Sequence, residues 1–107
     1  MTERFTVGNA LRITTESERR IYGVLLEHGT LELGFYKPEE SDPQKPHDQD
    51  EIYIILSGSG YFVHGDKRNP FESGEALFVP AGDTHRFEEF SDDFAAWVVF
   101  YGPKGGE

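Results

Sequence analysis

Apolar and polar side chains alternate with a period of two through most of this chain, the spacing of strands whose two faces meet different surroundings. The run IYGVLLE (21–27), the pair His28-Gly29 and the run TLELGFY (30–36) predict a hairpin. In its second arm Leu31, Leu33 and Phe35 alternate with Glu32, Gly34 and Tyr36, so the apolar face is expected to be the buried one. KPEESDPQKP (37–46), with three prolines in ten residues, reads as a loop leading into His47. Beyond it EIYIIL (51–56), GYFVHG (60–65), EALFVP (75–80) and AAWVVFY (95–101) are short runs rich in β-branched and aromatic residues, separated by Gly, Pro or Asp. Residues 5–20 carry the weakest pattern. Val7, Ala10 and Leu11 have helical spacing and Thr6 can cap, but Gly8 and Asn9 oppose a helix, so a short helix or an irregular arm fits equally. The whole reads as one all-β domain over 1–107, a sandwich or closed antiparallel barrel over roughly 20–101, because closure removes exposed strand edges.

Two of the runs are apolar on both faces. Glu51, Tyr53 and Ile55 stand opposite Ile52, Ile54 and Leu56, and Trp97, Val99 and Tyr101 stand opposite Ala96, Val98 and Phe100. A barrel has one interior, so the outer apolar face needs a cover. A homodimer is expected to supply it, with the N-terminal arm as the competing cover.

At 107 residues, 36% hydrophobic and 14% aromatic, the chain can fill one core. A charged fraction of 28% predicts a soluble chain that does not span a bilayer. The formal net charge of -10 opposes attraction to nucleic acid or to an anionic membrane, and neither is an expected partner. The acidic pairs Glu39-Glu40, Glu88-Glu89 and Asp92-Asp93 fall between the apolar runs and read as solvated surface. There is no cysteine, which removes disulfides and thiolate chemistry. The opening MTERFTVGNA lacks the apolar stretch of a secretory signal, so a cytoplasmic location is expected.

Two stretches carry the candidate chemistry. In PHDQDEIYIILSGSG (46–60) His47 precedes Glu51 by four positions, and in GEALFVPAGDTH (74–85) a Pro80-Ala81-Gly82 turn leads to His85. Two imidazoles and a carboxylate thus come from strands far apart in sequence, as in metal sites built inside barrels. Gly58 and Gly82 suit turns of positive φ, and Pro80 pre-sets the bend before His85. The two stretches resemble the paired motifs of the cupin superfamily, and the resemblance covers about residues 30–101. It implies a jelly roll, a double-stranded antiparallel β-helix, with Glu51 pointing inward beside Tyr53 and Ile55 and with Phe87 sharing the inward face with His85. It also implies a metal site of His47, Glu51 and His85. Two positions depart from the family pattern: Lys45 stands where a further His is usual, and Glu89 where Asn is usual.

Two His and one carboxylate suit one divalent transition metal, Fe, Mn, Zn, Ni or Co. Each ligating imidazole needs an acceptor for its second N–H group; Asp48, Asp50 and Asp83 are nearby in sequence, and the spacing selects none of them. Gln49 or Gln44 could give a neutral oxygen to the metal. Lys45 reads either as a solvated loop lysine or as a cation at the pocket mouth, and Tyr53 and Trp97 as core or as pocket wall. His28 and His64 each precede a glycine and read as exposed turn residues. Two functions follow. One is a metal-dependent enzyme acting on a small organic molecule, with dioxygenase, isomerase or lyase chemistry implied by the resemblance and with Tyr53 and Lys45 as the candidate acid or base groups. The other is a non-catalytic module that binds or senses a small ligand in a metal-free pocket whose His47, Glu51 and His85 hydrogen-bond one another. Whether the protein is an enzyme is left open by the residues alone.

Overall fold

The computed structural model describes residues 4–18 and 20–107. Helix α1 (Val7–Glu16) opens the chain, settling the choice between helix and arm. Thr6 is its N-cap, the side-chain oxygen accepting from the Asn9 amide at 3.2 Å, and this cap offsets the weak propensity of Gly8 and Asn9. Eight strands follow in order: β1 (Tyr22–His28), β2 (Leu31–Tyr36), β3 (Asp50–Ser57), β4 (Gly60–His64), β5 (Lys67–Phe71), β6 (Ala76–Val79), β7 (His85–Glu88) and β8 (Ala95–Tyr101). They form two antiparallel sheets, one in the order β1-β2-β8-β3-β6 and the other β5-β4-β7. The all-β architecture and the predicted 21–36 hairpin are both present; His28 pairs with Leu31 across a two-residue turn at Gly29-Thr30. Among the described residues no helix is long and apolar enough to cross a membrane.

Between the sheets lies a core weighted toward aromatic rings. Phe87 of β7 is its hub, with ring centroids 4.6 Å from Phe94, 4.9 Å from Phe62, 5.0 Å from Tyr53 and 5.4 Å from Phe71. Edge-to-face and offset contacts at these separations add to area burial and fill one half of the interior. The other half stays open as a cavity. Gly58 (φ 94°) and Gly82 (φ 85°) take the left-handed turn conformations expected of them.

The faces of β3 and β8 divide as their alternation predicts. Glu51, Tyr53, Ile55, Ala96 and Val98 are buried inside, while Ile54 is exposed outside. On β2 the apolar face that carries Phe35 is buried, but outside the barrel. The strand's interior side is the polar set Glu32, Gly34 and Tyr36, and Phe35 is buried on the outside, in a second cluster with Ala10 and Ala95 that also packs Leu25, Leu56 and Trp97. The reason is that α1 lies against β1 and β2 and supplies a second apolar contact there. Alternation marks the face that is packed, and on β2 that is the helix-covered face rather than the face lining the cavity. The N-terminal segment is therefore a cover for part of the outer sheet, while Ile54 and Phe78 stay exposed. Trp97 belongs to this outer cluster, edge-on to Phe35 at 5.1 Å, and is core rather than pocket wall.

Candidate metal centre

His47 ends the proline-rich loop, Glu51 and Tyr53 follow on the inward face of β3, and His85 begins β7 after the Pro80–Gly82 turn. Main-chain bonds lock the two stretches together: the Gly82 amide donates to the His47 carbonyl at 2.7 Å and the Ala81 amide to the Asp50 carboxylate at 2.9 Å. Asp50 also accepts from the Glu107 amide at 3.0 Å, and these donors, Glu107 first and Ala81 second, hold its carboxyl below the usual range.

The structure brings the three predicted residues to one point. One donor atom from each of His47, Glu51 and His85 lies within 4.8 Å of the others. His85 Nε2 is 3.1 Å, and His47 Nε2 3.9 Å, from Glu51 Oε1. Yet both carboxylate oxygens of Glu51, a residue 1% exposed, are buried with no partner in hydrogen-bonding geometry. Left uncompensated, a carboxylate in such surroundings costs several kcal/mol, on the order of a buried ion's desolvation, and a protonated His85 at 3.1 Å offsets only part of it. A cation among these three groups removes that cost, so the donor set fits a metal ion.

The protonation pattern agrees with that fit. His85 Nδ1 lies 3.0 Å from the Asp83 carbonyl, which can only accept, so Nδ1 carries a proton and Nε2 is the nitrogen that faces Glu51, where it can ligate an ion in the neutral imidazole. The acceptor is the backbone of Asp83; its carboxylate instead hydrogen-bonds His64 Nε2 at 2.7 Å, leaving His64 half-buried at the end of β4 rather than an exposed turn residue. Asp48 accepts through its carbonyl from Gly105, and its side chain is exposed. Burial disfavours the charged form of His85, but Glu51 and the Asp83 carbonyl outweigh it and raise its pKa. Burial and the nearby Glu51 charge push the Tyr53 phenol well above its ordinary range, so it keeps its proton at neutral pH. That hydroxyl is 3.0 Å from His85 Nε2 and 2.5 Å from Gln44 Oε1.

Of these groups His47, Glu51 and Tyr53 line a cavity of about 510 Å³, whose walls also include Tyr22, Glu32, Tyr36, Gln44, Val98 and Phe100, while His85 is buried beside them. Lys45 is exposed and lines the cavity, which suits both a solvated loop lysine and a cation at the pocket mouth. His28 is exposed at the end of β1, away from the site. Several wall residues escape a reading of the sequence. The Tyr22 hydroxyl donates to Glu32 at 2.7 Å, forming a second polar pole, and the ring has room there because Gly34 carries no Cβ: one would stand 2.1 Å from the Tyr22 oxygen. Burial and then the Glu32 contact push the Tyr22 phenol up. The polar half of the β2 alternation was the available signal for Glu32. Asp42, in a loop without periodicity, offered none.

Comparison with known proteins matches this architecture. A family model for the cupin domain matches residues 33–101. An uncharacterised protein of Streptomyces coelicolor is 34% identical over 85 residues, 78% of this chain and 81% of that protein. The HTH-type transcriptional activator RhaR of Mannheimia succiniciproducens is 35% identical over 60 residues, 56% of this chain but 21% of that protein. Among solved structures, a cupin 2 conserved barrel domain protein of Salinispora arenicola superposes with a TM-score of 0.69 at 23% identity, covering 95% of this chain and 89% of that one. A cupin superfamily protein of Desulfitobacterium hafniense gives 0.65 at 15% identity, covering 77% and 76%. A family model running from β2 to β8, joined to a barrel shared over nearly the whole length, leads to one conclusion: the chain belongs to the cupin superfamily.

Proposed function

We propose that this cupin binds one divalent transition metal through His47, Glu51 and His85 and acts on a small organic molecule held in the adjoining cavity. The observation that carries the reading is Glu51, an inward carboxylate with two buried, unpartnered oxygens between two imidazoles. Bound there, the ion would supply Lewis-acid or redox chemistry suited to a carbonyl, a carboxylate or O2. The chain's own residues do the rest. The Tyr53 hydroxyl, protonated at neutral pH, holds a proton at the edge of the donor cluster. The aromatic faces of Tyr22 and Phe100 wall the ligand, and Lys45 puts a positive charge at the rim. In this reading Tyr53 and Lys45 serve as the acid or base groups, and the fold itself does not select the reaction.

A second reading, a ligand-sensing module without turnover or metal, draws support from the similarity to part of a transcriptional activator and from the Tyr53–Gln44–His47 contacts. Elemental analysis of tag-free protein never exposed to nickel resin separates the two. About one equivalent of Fe, Mn, Zn, Ni or Co, lost in a His47→Ala/His85→Ala variant, is the expected result. Absence of any ion, even after incubation with each, rejects the metal reading and leaves the sensing module. The proposal also includes a homodimer, for which Ile54 and Phe78, 42% and 52% exposed on the outer face of β3 and β6, are the candidate contacts.

A further inference from the structure

We infer that the side-chain oxygen of Gln44 is a fourth donor to the metal; the inference rests on the metal reading above. The position two before His47, where the family's further His is usual, holds Lys45, which is exposed at the rim. Gln44, one residue earlier, points into the cluster instead. Its Oε1 is 3.1 Å from His47 Nε2 and 2.5 Å from the Tyr53 hydroxyl.

The orientation of this amide follows from its other end. Gln44 Nε2 donates at 2.9 Å to Asp42 Oδ2, and a carboxylate oxygen only accepts, so the amide oxygen is the atom turned toward the imidazole. A flipped amide would set its carbonyl against Asp42 and its N–H2 among donors. Asp42 is itself fixed by the Gln44 amide at 3.1 Å, by the Tyr36 hydroxyl and by the Phe87 amide at 2.7 Å. Phe87 lies on β7, an outer strand of its sheet and the strand that begins with His85. Asp42 thereby ties the loop bearing Gln44 and His47 to the strand bearing His85.

Spacing supports a shared ion. Bonds of about 2.1 Å put neighbouring donors about 3.0 Å apart at right angles and about 3.4 Å apart in a tetrahedron. The Gln44 Oε1–His47 Nε2 and Glu51 Oε1–His85 Nε2 separations are both 3.1 Å, and Glu51 Oε1–His47 Nε2 is 3.9 Å. An oxygen that only accepts thus stands beside each imidazole, the anionic Glu51 at His85 and the neutral Gln44 at His47. Gln49, the other candidate amide, is tethered elsewhere: its Nε2 donates to the carbonyls of Thr30 and Gly102, each at 2.9 Å.

The test uses Co(II), with affinity from chelator competition and coordination from the visible spectrum, on the full chain and on Gln44→Leu, Gln44→Glu and Gln49→Leu variants. We expect Gln44→Leu to weaken Co(II) binding by at least about tenfold, the scale of losses around metal sites. Gln44→Glu should retain binding while shifting the absorption bands, since a carboxylate replaces an amide oxygen at the ion. Gln49→Leu should leave affinity and spectrum as in the parent. Parent-like affinity in Gln44→Leu, or a parent-like spectrum in Gln44→Glu, overturns the donor role and leaves the three-residue site standing. Failure of the parent chain itself to bind Co(II) or any other divalent ion overturns both this inference and the metal reading.

Discussion

Glu51 is the side chain most expensive to leave alone in this barrel, and its neighbour His85 makes that expense depend on pH. In the metal-free protein the raised His85 pKa means that the folded state holds its proton more tightly than the unfolded chain, whose value is near 6.5. Such a group contributes its full stability below about pH 6.5 and loses it as pH climbs through the raised folded value. The melting temperature measured in EDTA should therefore fall as pH rises from about 6.5, and a Glu51→Gln variant should flatten the trend. With metal bound the sign reverses, because ligation requires the neutral imidazole and binding strengthens with pH. A metal-free melting temperature that rises through this window would place the His85 proton elsewhere. At this scale His47, Glu51 and His85 were legible because their spacing is bound to turns and strand faces. Gln44 and Asp42 were not, because they lie in a loop where no periodicity says which way a side chain points.

At the scale of the element, the informative case is β2, whose alternation was visible while its interior face was not. Leu31, Leu33 and Phe35 look like a core face, and Phe35 is fully buried, but under α1. A period of two states that two faces differ; it does not state which faces the barrel. The helix contact makes a separable prediction. Ala10 is 0% exposed in the outer cluster, so Ala10→Glu should undock α1 and destabilise the fold by about 2–4 kcal/mol, the range for a buried unpaired charge. The single tryptophan, Trp97, packs in that cluster, and its emission should shift to the red while the far-ultraviolet strand signal persists. Unshifted emission would mean that the helix does not cover this face in solution.

For the whole molecule, the distribution of aromatic rings shapes the barrel: the Phe87 hub fills one end, and the His–Glu–His cluster opens into the cavity at the other. Outside, α1 covers the β1–β2 side of the larger sheet, and β6 ends that sheet with Phe78 half exposed. A second copy seated on Ile54 and Phe78 would cover this remaining patch, as two-fold pairing of like surfaces allows. Light scattering should give a dimer mass at micromolar concentration, and Phe78→Asp should shift it to monomer with the melting temperature of the barrel little changed. A monomeric parent chain would remove the homodimer.

Already legible along the chain were the all-β class, the hairpin, the turns at Gly58 and Gly82, the two-faced strands and, through the resemblance of their motifs, the three residues that meet at the candidate centre. All of these are consequences of local periodicity, backbone chemistry or motif spacing, which neighbours along the chain can carry. Only the tertiary structure decided that the interior of β2 is its polar side, that the N-terminal segment is a helix docked on Phe35, that His64 pairs with Asp83, and that Asp42 turns the Gln44 oxygen toward His47. Each of those joins residues from different elements, so its energy exists only once the two sheets and the loop have closed around one cavity.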